Sequence, residues 1–198
     1  MAARQDAVER TREQILTAAY RCWLEQPYDE VTLDAIAEAA GVARQTVHRQ
    51  FGSKDDLMAA VIEWRRPTED AASFAPAPGD VETMLRMQLD RYEEMGDALV
   101  RFLELEGRIA AIDRLLETGR AGHRAEIEHA VGPYLPDEGS PARERAVLAL
   151  YAATDVMVWK LLRRDFGRPR EETESIVRQL VDGVLAGLGR TPDGRKRP

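Results

Sequence analysis

The sequence predicts an all-α fold, with an N-terminal three-helix helix-turn-helix domain followed by a C-terminal helical domain. Three observations predict it. Apolar residues recur at the helical period along most of the chain, and no stretch alternates as a strand does. The run from Val31 to Leu57, VTLDAIAEAAGVARQTVHRQFGSKDDL, reads as two short helices joined by a glycine turn. The stretch from Pro67 to Gly79, PTEDAASFAPAPG, holds three prolines and several small residues, which marks a linker. The expected organisation is therefore residues 1–66 for the first domain with its connecting helix, 80–189 for the second, and 190–198 for a disordered tail.

The first helix is amphipathic and carries Cys22 beside Trp23. A lone cysteine forms no internal disulfide, so Cys22 is expected to be a buried packing residue. Thr32 can cap the second helix, on which Leu33, Ile36 and Ala37 share a face at i, i+3, i+4 spacing. Gly41 ends that helix, because a tight turn after Ala39 and Ala40 needs a residue that tolerates positive φ. The third helix, about 43–50, buries Val47 and Phe51 and leaves Arg44, Gln45, Thr46, His48 and Arg49 outward. Those side chains suit the reading of base edges and phosphates in a DNA groove. Ser53 can cap a fourth helix that begins Lys54, Asp55, Asp56 and turns Leu57, Met58, Val61, Ile62 and Trp64 inward.

The segment GVARQTVHRQFGSKDDL resembles the recognition-helix signature of the tetracycline-repressor-like (TetR) regulators, and REQILTAAYRCWLEQPYDEVT resembles that family's first helix and lead-in. The resemblance covers roughly residues 9 to 66. It departs at three places: the family usually has Tyr where His48 stands, His where Gln50 stands, and Gly where Pro27 stands. These bear on phosphate contacts more than on the scaffold. The expected DNA contacts are Thr32, Arg44, Gln45, Thr46, His48, Arg49, Gln50 and Lys54. The partner implied is a double-stranded, palindromic operator, read by a homodimer whose two third helices lie about one DNA turn apart.

In the second part, Val81, Met84, Leu85, Leu89, Tyr92 and Met95 form a helical stripe, with Leu99, Phe102 and Leu103 on another helix. Ile112, Leu115, Leu116, Gly119, His123, Ile127 and Ala130 share a face of the next, which GPYLPDEGSP interrupts. Ser140 and Pro141 start a helix expected to run to about Phe166, and Gly167 and Pro169 separate it from a last helix to about Leu188. Helices apolar around most of their girth need cover on more than one side. The surplus predicts a dimer through Val158, Leu162, Val177, Val181, Val184 and Leu188, with Gly183 and Gly187 permitting close approach.

Composition bounds the remaining possibilities. The chain has 198 residues, 44% of them hydrophobic, and no apolar run approaches the ~20 residues of a membrane span. The charged N-terminus lacks an apolar signal segment, so a soluble, cytoplasmic protein is expected. The net charge of −7 does not oppose DNA binding, because Arg44, Arg49 and Lys54 cluster at the reading helix while many acids lie elsewhere. Catalysis has few parts to use: the histidines are His48, His123 and His129, and the chain holds no P-loop, G-x-S-x-G or C-x-x-C. Glu126 and His129 form one E-x-x-H without the second copy that a di-iron bundle needs. The expectation is a non-enzyme with no cofactor and no metal.

The family resemblance implies a cavity for a small-molecule effector in the second part. Met84, Tyr92, Phe102, His123, Tyr151, Asp155 and Trp159 are its expected lining, with Asp155 required to meet a cation, a ligand or a polar network because a buried carboxylate is costly alone. These residues can equally be ordinary core, and Asp155 can equally serve the dimer interface. The function expected is a repressor released by its ligand. The alternatives are a ligand-responsive activator and a helical dimeric binding protein that reads no DNA.

Overall fold

The computed structural model describes residues 2–65 and 76–189, and every regular element among them is helical. They divide into two compact units: residues up to 65 with Arg101–Glu117, and residues 76–100 with 118–189. Residue 66, residues 67–75 of the expected linker, and the expected tail 190–198 lie outside the described residues.

The first unit holds α1 (Ala2–Glu25), α2 (Leu33–Ala39), α3 (Arg44–Phe51) and α4 (Lys54–Trp64). Its core is Ile15, Leu16, Ala19 and Trp23 from α1, Ile36 and Ala37 from α2, Val47 and Phe51 from α3, and Leu57, Met58 and Val61 from α4. Burying such a side chain contributes about 1.5–3 kcal/mol, enough for a helix as short as α3 to hold its place by two anchors. Both predicted caps form. Thr32 Oγ1 accepts the Ala35 N–H at 3.1 Å, and Ser53 with Asp56 closes a reciprocal capping box. Gly41 takes φ +65°, and the following N–H of Val42 reaches back to the Ala37 carbonyl at 2.9 Å, sealing the end of α2.

Two expectations here are corrected. Trp64 is exposed, because it is the last residue of α4 and its ring overhangs the edge of the core, edge-on to Tyr20 with centroids 6.4 Å apart. Cys22 is half-buried rather than buried, and burial pushes its thiol pKa up.

A third difference concerns domain membership. Arg101–Glu117, expected in the second domain, packs with the first unit. The Arg101 guanidinium donates to the Leu24 carbonyl at 2.7 Å, at the open C-terminal end of α1, and Arg108 pairs with Asp29 at 3.7 Å.

The second unit is built from α5 (Val81–Leu103), α6 (Ala110–Val131), α7 (Pro141–Ala153), α8 (Val156–Lys160) and α9 (Arg170–Gly187), the unit division falling within α5 and α6. α5 is one helix where two were expected, since tertiary packing of Gly96 against the Trp159 ring holds the helix through the glycine. The helix expected from Ser140 to Phe166 is instead broken. Thr154 turns its hydroxyl back to the Leu150 carbonyl at 2.8 Å, Asp155 restarts the chain by accepting the Met157 N–H at 2.9 Å, and a π turn spans Leu161–Asp165.

The core of this unit joins Val81, Met84 and Leu85 to Ile127, Ala130, Val147, Leu150 and Leu162, and to Val177, Val181 and Leu185 of α9. This corrects the expected dimer surface. Leu162, Val177 and Val181 are buried within the protomer's own core and are not available to a partner. Val158, Val184 and Leu188 are half-buried at the margin of that core. Other apolar side chains of this unit are bare: Leu148 on α7 and Leu180 on α9 stand 54% and 45% exposed, and Met157, Leu161 and Phe166 are exposed between them in the chain. No helix among the described residues is long and apolar enough to cross a membrane.

Candidate functional site

α3 displays four polar side chains on one exposed face, Arg44, Gln45, His48 and Arg49, at positions i, i+1, i+4 and i+5. The opposite face is pinned by Val47 and Phe51, and the Arg12 guanidinium lies over the Phe51 ring at 4.7 Å. That outward face is therefore fixed in register by its anchors although it is exposed. Arg44 forms an ion pair with Asp34 at 3.3 Å, and both side chains are largely in solvent, so a phosphate or a base can replace that carboxylate at little cost.

The other expected contacts are placed differently. Thr46 is half-buried beside Val47, and Thr32 is exposed with its hydroxyl engaged as the α2 cap. Gln50 is half-buried, and its Oε1 is out of solvent with no hydrogen-bond partner, so it stands apart from the Gln45 and Arg49 face. His48 holds its Nδ1 2.5 Å from the Gly52 carbonyl. A carbonyl only accepts, so Nδ1 carries the proton and the neutral ring leaves Nε2 as a bare acceptor.

Lys54 has two contacts that its sequence position does not suggest. Its Nζ donates to the carbonyls of Tyr28 and Val31, at 2.9 and 3.0 Å, and lies 4.3 Å from the centre of the Tyr28 ring. Tyr28 stacks on Trp23 and donates its hydroxyl to Asp55. Burial and that carboxylate hold the Tyr28 phenol well above its usual pKa. The start of α4 is thus tied to the turn that feeds α2, and two of the three ammonium N–H groups of Lys54 are spent on that tie.

In the second unit, Tyr92, Asp155 and Trp159 of the expected effector residues come together, with Leu85, Gln88, Leu89, Thr154 and Val177, around a cavity of ≈ 10 Å³. Such a space admits about one water molecule. Met84 does not line it and belongs to the core. Phe102 belongs to the first unit. His123 and Tyr151 lie outside the cavity wall, ring against ring with centroids 4.4 Å apart. His123 Nε2 is 2.8 Å from Thr154 Oγ1, and burial, with the charge of Arg91, lowers its pKa to about 4. It is a neutral core histidine.

Gln88 and Thr154 were missed by sequence reasoning, although Gln88 had a signal. It is an amide set at i+4 from Met84 and i−4 from Tyr92, in the middle of an apolar stripe. The lone E-x-x-H is accounted for without a metal. Glu126 takes both oxygens to Arg91 at 2.9 Å, His129 Nε2 meets the Pro76 carbonyl at 3.0 Å, and no group of metal-ligating side chains occurs among the described residues.

Known proteins agree with this geometry. The family model described as "Bacterial regulatory proteins, tetR family" matches residues 15–61, the segment from α1 to α4 that contains the reading face. The HTH-type transcriptional repressor LfrR of Mycolicibacterium smegmatis is 34% identical over 189 residues, covering 90% of this chain and 93% of that protein. The HTH-type transcriptional repressor AcnR of Corynebacterium glutamicum is 27% identical, covering 91% and 95%. The crystal structure of a TetR-family transcriptional regulator from Streptomyces coelicolor shares the fold with a TM-score of 0.71 at 21% identity, covering 91% of this chain and 82% of that one. With a reading helix pinned in place and identity to LfrR running along nearly the whole of both proteins, this chain belongs to the TetR family of non-enzymatic, DNA-binding transcriptional regulators.

Proposed function

We propose that this regulator is a cytoplasmic, homodimeric repressor that occupies a palindromic operator and leaves it when a small molecule enters the second unit. One observation carries the reading: α3 exposes Arg44, Gln45, His48 and Arg49 on a single face while Val47 and Phe51 anchor the other. Gln45 is suited to the paired edge of an adenine, and Arg44 to a guanine or a phosphate. Repression is supported by the description of LfrR and AcnR as repressors. A net charge of −7 keeps non-specific attraction to DNA weak, which leaves recognition to this face.

Selection of bound sequences from random duplexes tests the proposal. The expected result is an inverted repeat with half-sites about one helical turn apart, bound by a dimer and repressing a reporter placed downstream. A pool that shows no enrichment, or an enriched site that raises transcription, would overturn it.

A further inference from the structure

We propose that the cavity of the second unit is the head-group subsite for an organic cation that brings N–H donors, an ammonium or amidinium group carried on an apolar body. The inference rests on the reading of this unit as the effector-binding part and names the chemistry of the effector.

The Thr154 carbonyl can only accept, so the single proton of the Tyr92 hydroxyl points to it, at 3.2 Å. Gln88 must then offer its amide nitrogen to the Tyr92 oxygen, which fixes the amide orientation. Gln88 Oε1 is consequently the atom left over. It is buried, on a residue only 4% exposed, and has no partner. The Thr154 hydroxyl donates to the Leu150 carbonyl at 2.8 Å, so it too is spent. The Trp159 indole N–H is committed to Glu93 at 2.9 Å. The Tyr92 and Thr154 hydroxyls, the Trp159 indole N–H and one amide N–H of Gln88 are therefore committed to other partners, and Gln88 Oε1 remains an acceptor without one.

A second acceptor is charged. Asp155 is among the residues lining the cavity; it is half-exposed rather than buried as the sequence suggests, and its carboxylate accepts only the Met157 N–H that it caps, with no ion-pair partner among the described residues. The nearby arginines are taken: Arg91 by Glu126, Arg163 by Glu93, and Arg164 by Asp97. Burial and the Asp155 charge both raise the pKa of the Tyr92 and Tyr151 phenols, as expected of an uncompensated carboxylate. An anionic head would meet Asp155 and the bare Gln88 oxygen together. A cation with N–H donors satisfies both, beside the rings of Tyr92 and Trp159 and the apolar Leu85, Leu89 and Val177. The space now admits only about one water, so the apolar body must part the wall, where the chain already breaks between α7 and α8 at Thr154 and Asp155.

Calorimetric titration with three probes that share one body tests the proposal: 4-phenylbutylammonium, 4-phenylbutanol and 4-phenylbutanoate. The ammonium compound is expected to bind about tenfold or more tighter than the carboxylate, the scale of one charge-assisted contact. Asp155→Asn keeps a good cap for α8 and should remove most of that preference with little change in Tm. Gln88→Leu should weaken the ammonium compound several-fold, on the order of one lost hydrogen bond, and should not weaken the carboxylate, which has no donor to lose. Equal or tighter binding of the carboxylate, a preference that survives both variants, or binding of none of the three would each overturn the proposal, the last leaving the cavity as a water site. Release of a selected DNA duplex is read separately. Ammonium binding without release would sink the effector reading and spare this one; binding and release by the carboxylate would do the reverse.

Discussion

Lys54 and His48 show how far a residue's neighbours can redirect its expected chemistry. The sequence puts Lys54 at a helix N-terminus, where an ammonium can join the backbone N–H groups in holding a phosphate. The fold instead gives two of its three donors to the Tyr28 and Val31 carbonyls. Lys54→Met should therefore lower stability by about 2–3 kcal/mol, the scale of a charge-assisted pair of hydrogen bonds, while the salt dependence of DNA binding keeps its slope. A fall of about one unit in that slope would show that the third N–H reaches a phosphate. His48 is constrained in the same way. With Nδ1–H held by the Gly52 carbonyl, a neutral ring offers a phosphate only a lone pair, so a contact through Nε2 requires the imidazolium. His48→Tyr puts a hydroxyl donor at that position and should therefore tighten operator binding, by up to ~1 kcal/mol per subunit. Unchanged affinity would remove position 48 from the phosphate contacts. The Val47 and Phe51 spacing made the buried and exposed faces of α3 legible in the sequence. The tethers of Lys54 were not legible, because they depend on where the Tyr28–Val31 turn passes in space.

At the scale of elements, helices announced by period and cap were found with their cores and caps in place, as α2 and α4 show. What the period could not report was interruption or persistence. Apolar residues continue unbroken through Thr154 and Asp155, yet two side chains that hydrogen-bond the local backbone split the helix there. Conversely, the helix whose stripe was expected to end at Met95 runs on through Gly96, which is a point of contact. A Cβ at Gly96 would lie 2.5 Å from the Trp159 ring, which is buried and held by Glu93. Gly96→Ala should thus destabilise by about 1–2 kcal/mol despite the better helix propensity of alanine, with a change in Trp159 emission. Unchanged or raised thermal stability would mean that α5 and α8 part more easily than their packing implies. His123 adds a pH dependence to the same region. Its folded pKa of about 4 lies below the ~6.5 of an unfolded histidine, so the unfolded chain binds more protons between those values. Stability is fully present above pH ~6.5 and falls as pH drops toward 4, by ~3 kcal/mol at most. His123→Gln keeps a donor for Thr154 and should flatten that fall in thermal melts. Glu93, whose pKa Arg163 lowers to about 2, titrates below this window and does not obscure the test.

For the whole molecule, the apolar residues of the last helices divide between the protomer's own core and its exterior, and the sequence could not say which side was which. α9 resolves into two faces. Thr173, Val177, Val181 and Leu185 repeat every four residues and are buried against the protomer, whereas Leu180, Gly183 and Gly187 are exposed with Ile176 and Val184 half-buried beside them. On α7, Ala146, Val147 and Leu150 face the core, and Leu148, Ala149 and Ala152 are bare. Two helices therefore present small and apolar outer faces, a surface on which a second copy can pack closely. Leu148→Glu with Leu180→Glu would place like charges near a two-fold contact without touching the core. The expected product is a monomer by sedimentation, with an almost unchanged Tm and a loss of tight operator binding, since one reading helix cannot span two half-sites. Val181→Glu supplies the contrast: buried at 0% exposure, it should unfold the unit rather than merely separate subunits. A double variant that stayed dimeric would put the interface on another surface, and one that unfolded would mean that Leu148 and Leu180 support the protomer itself.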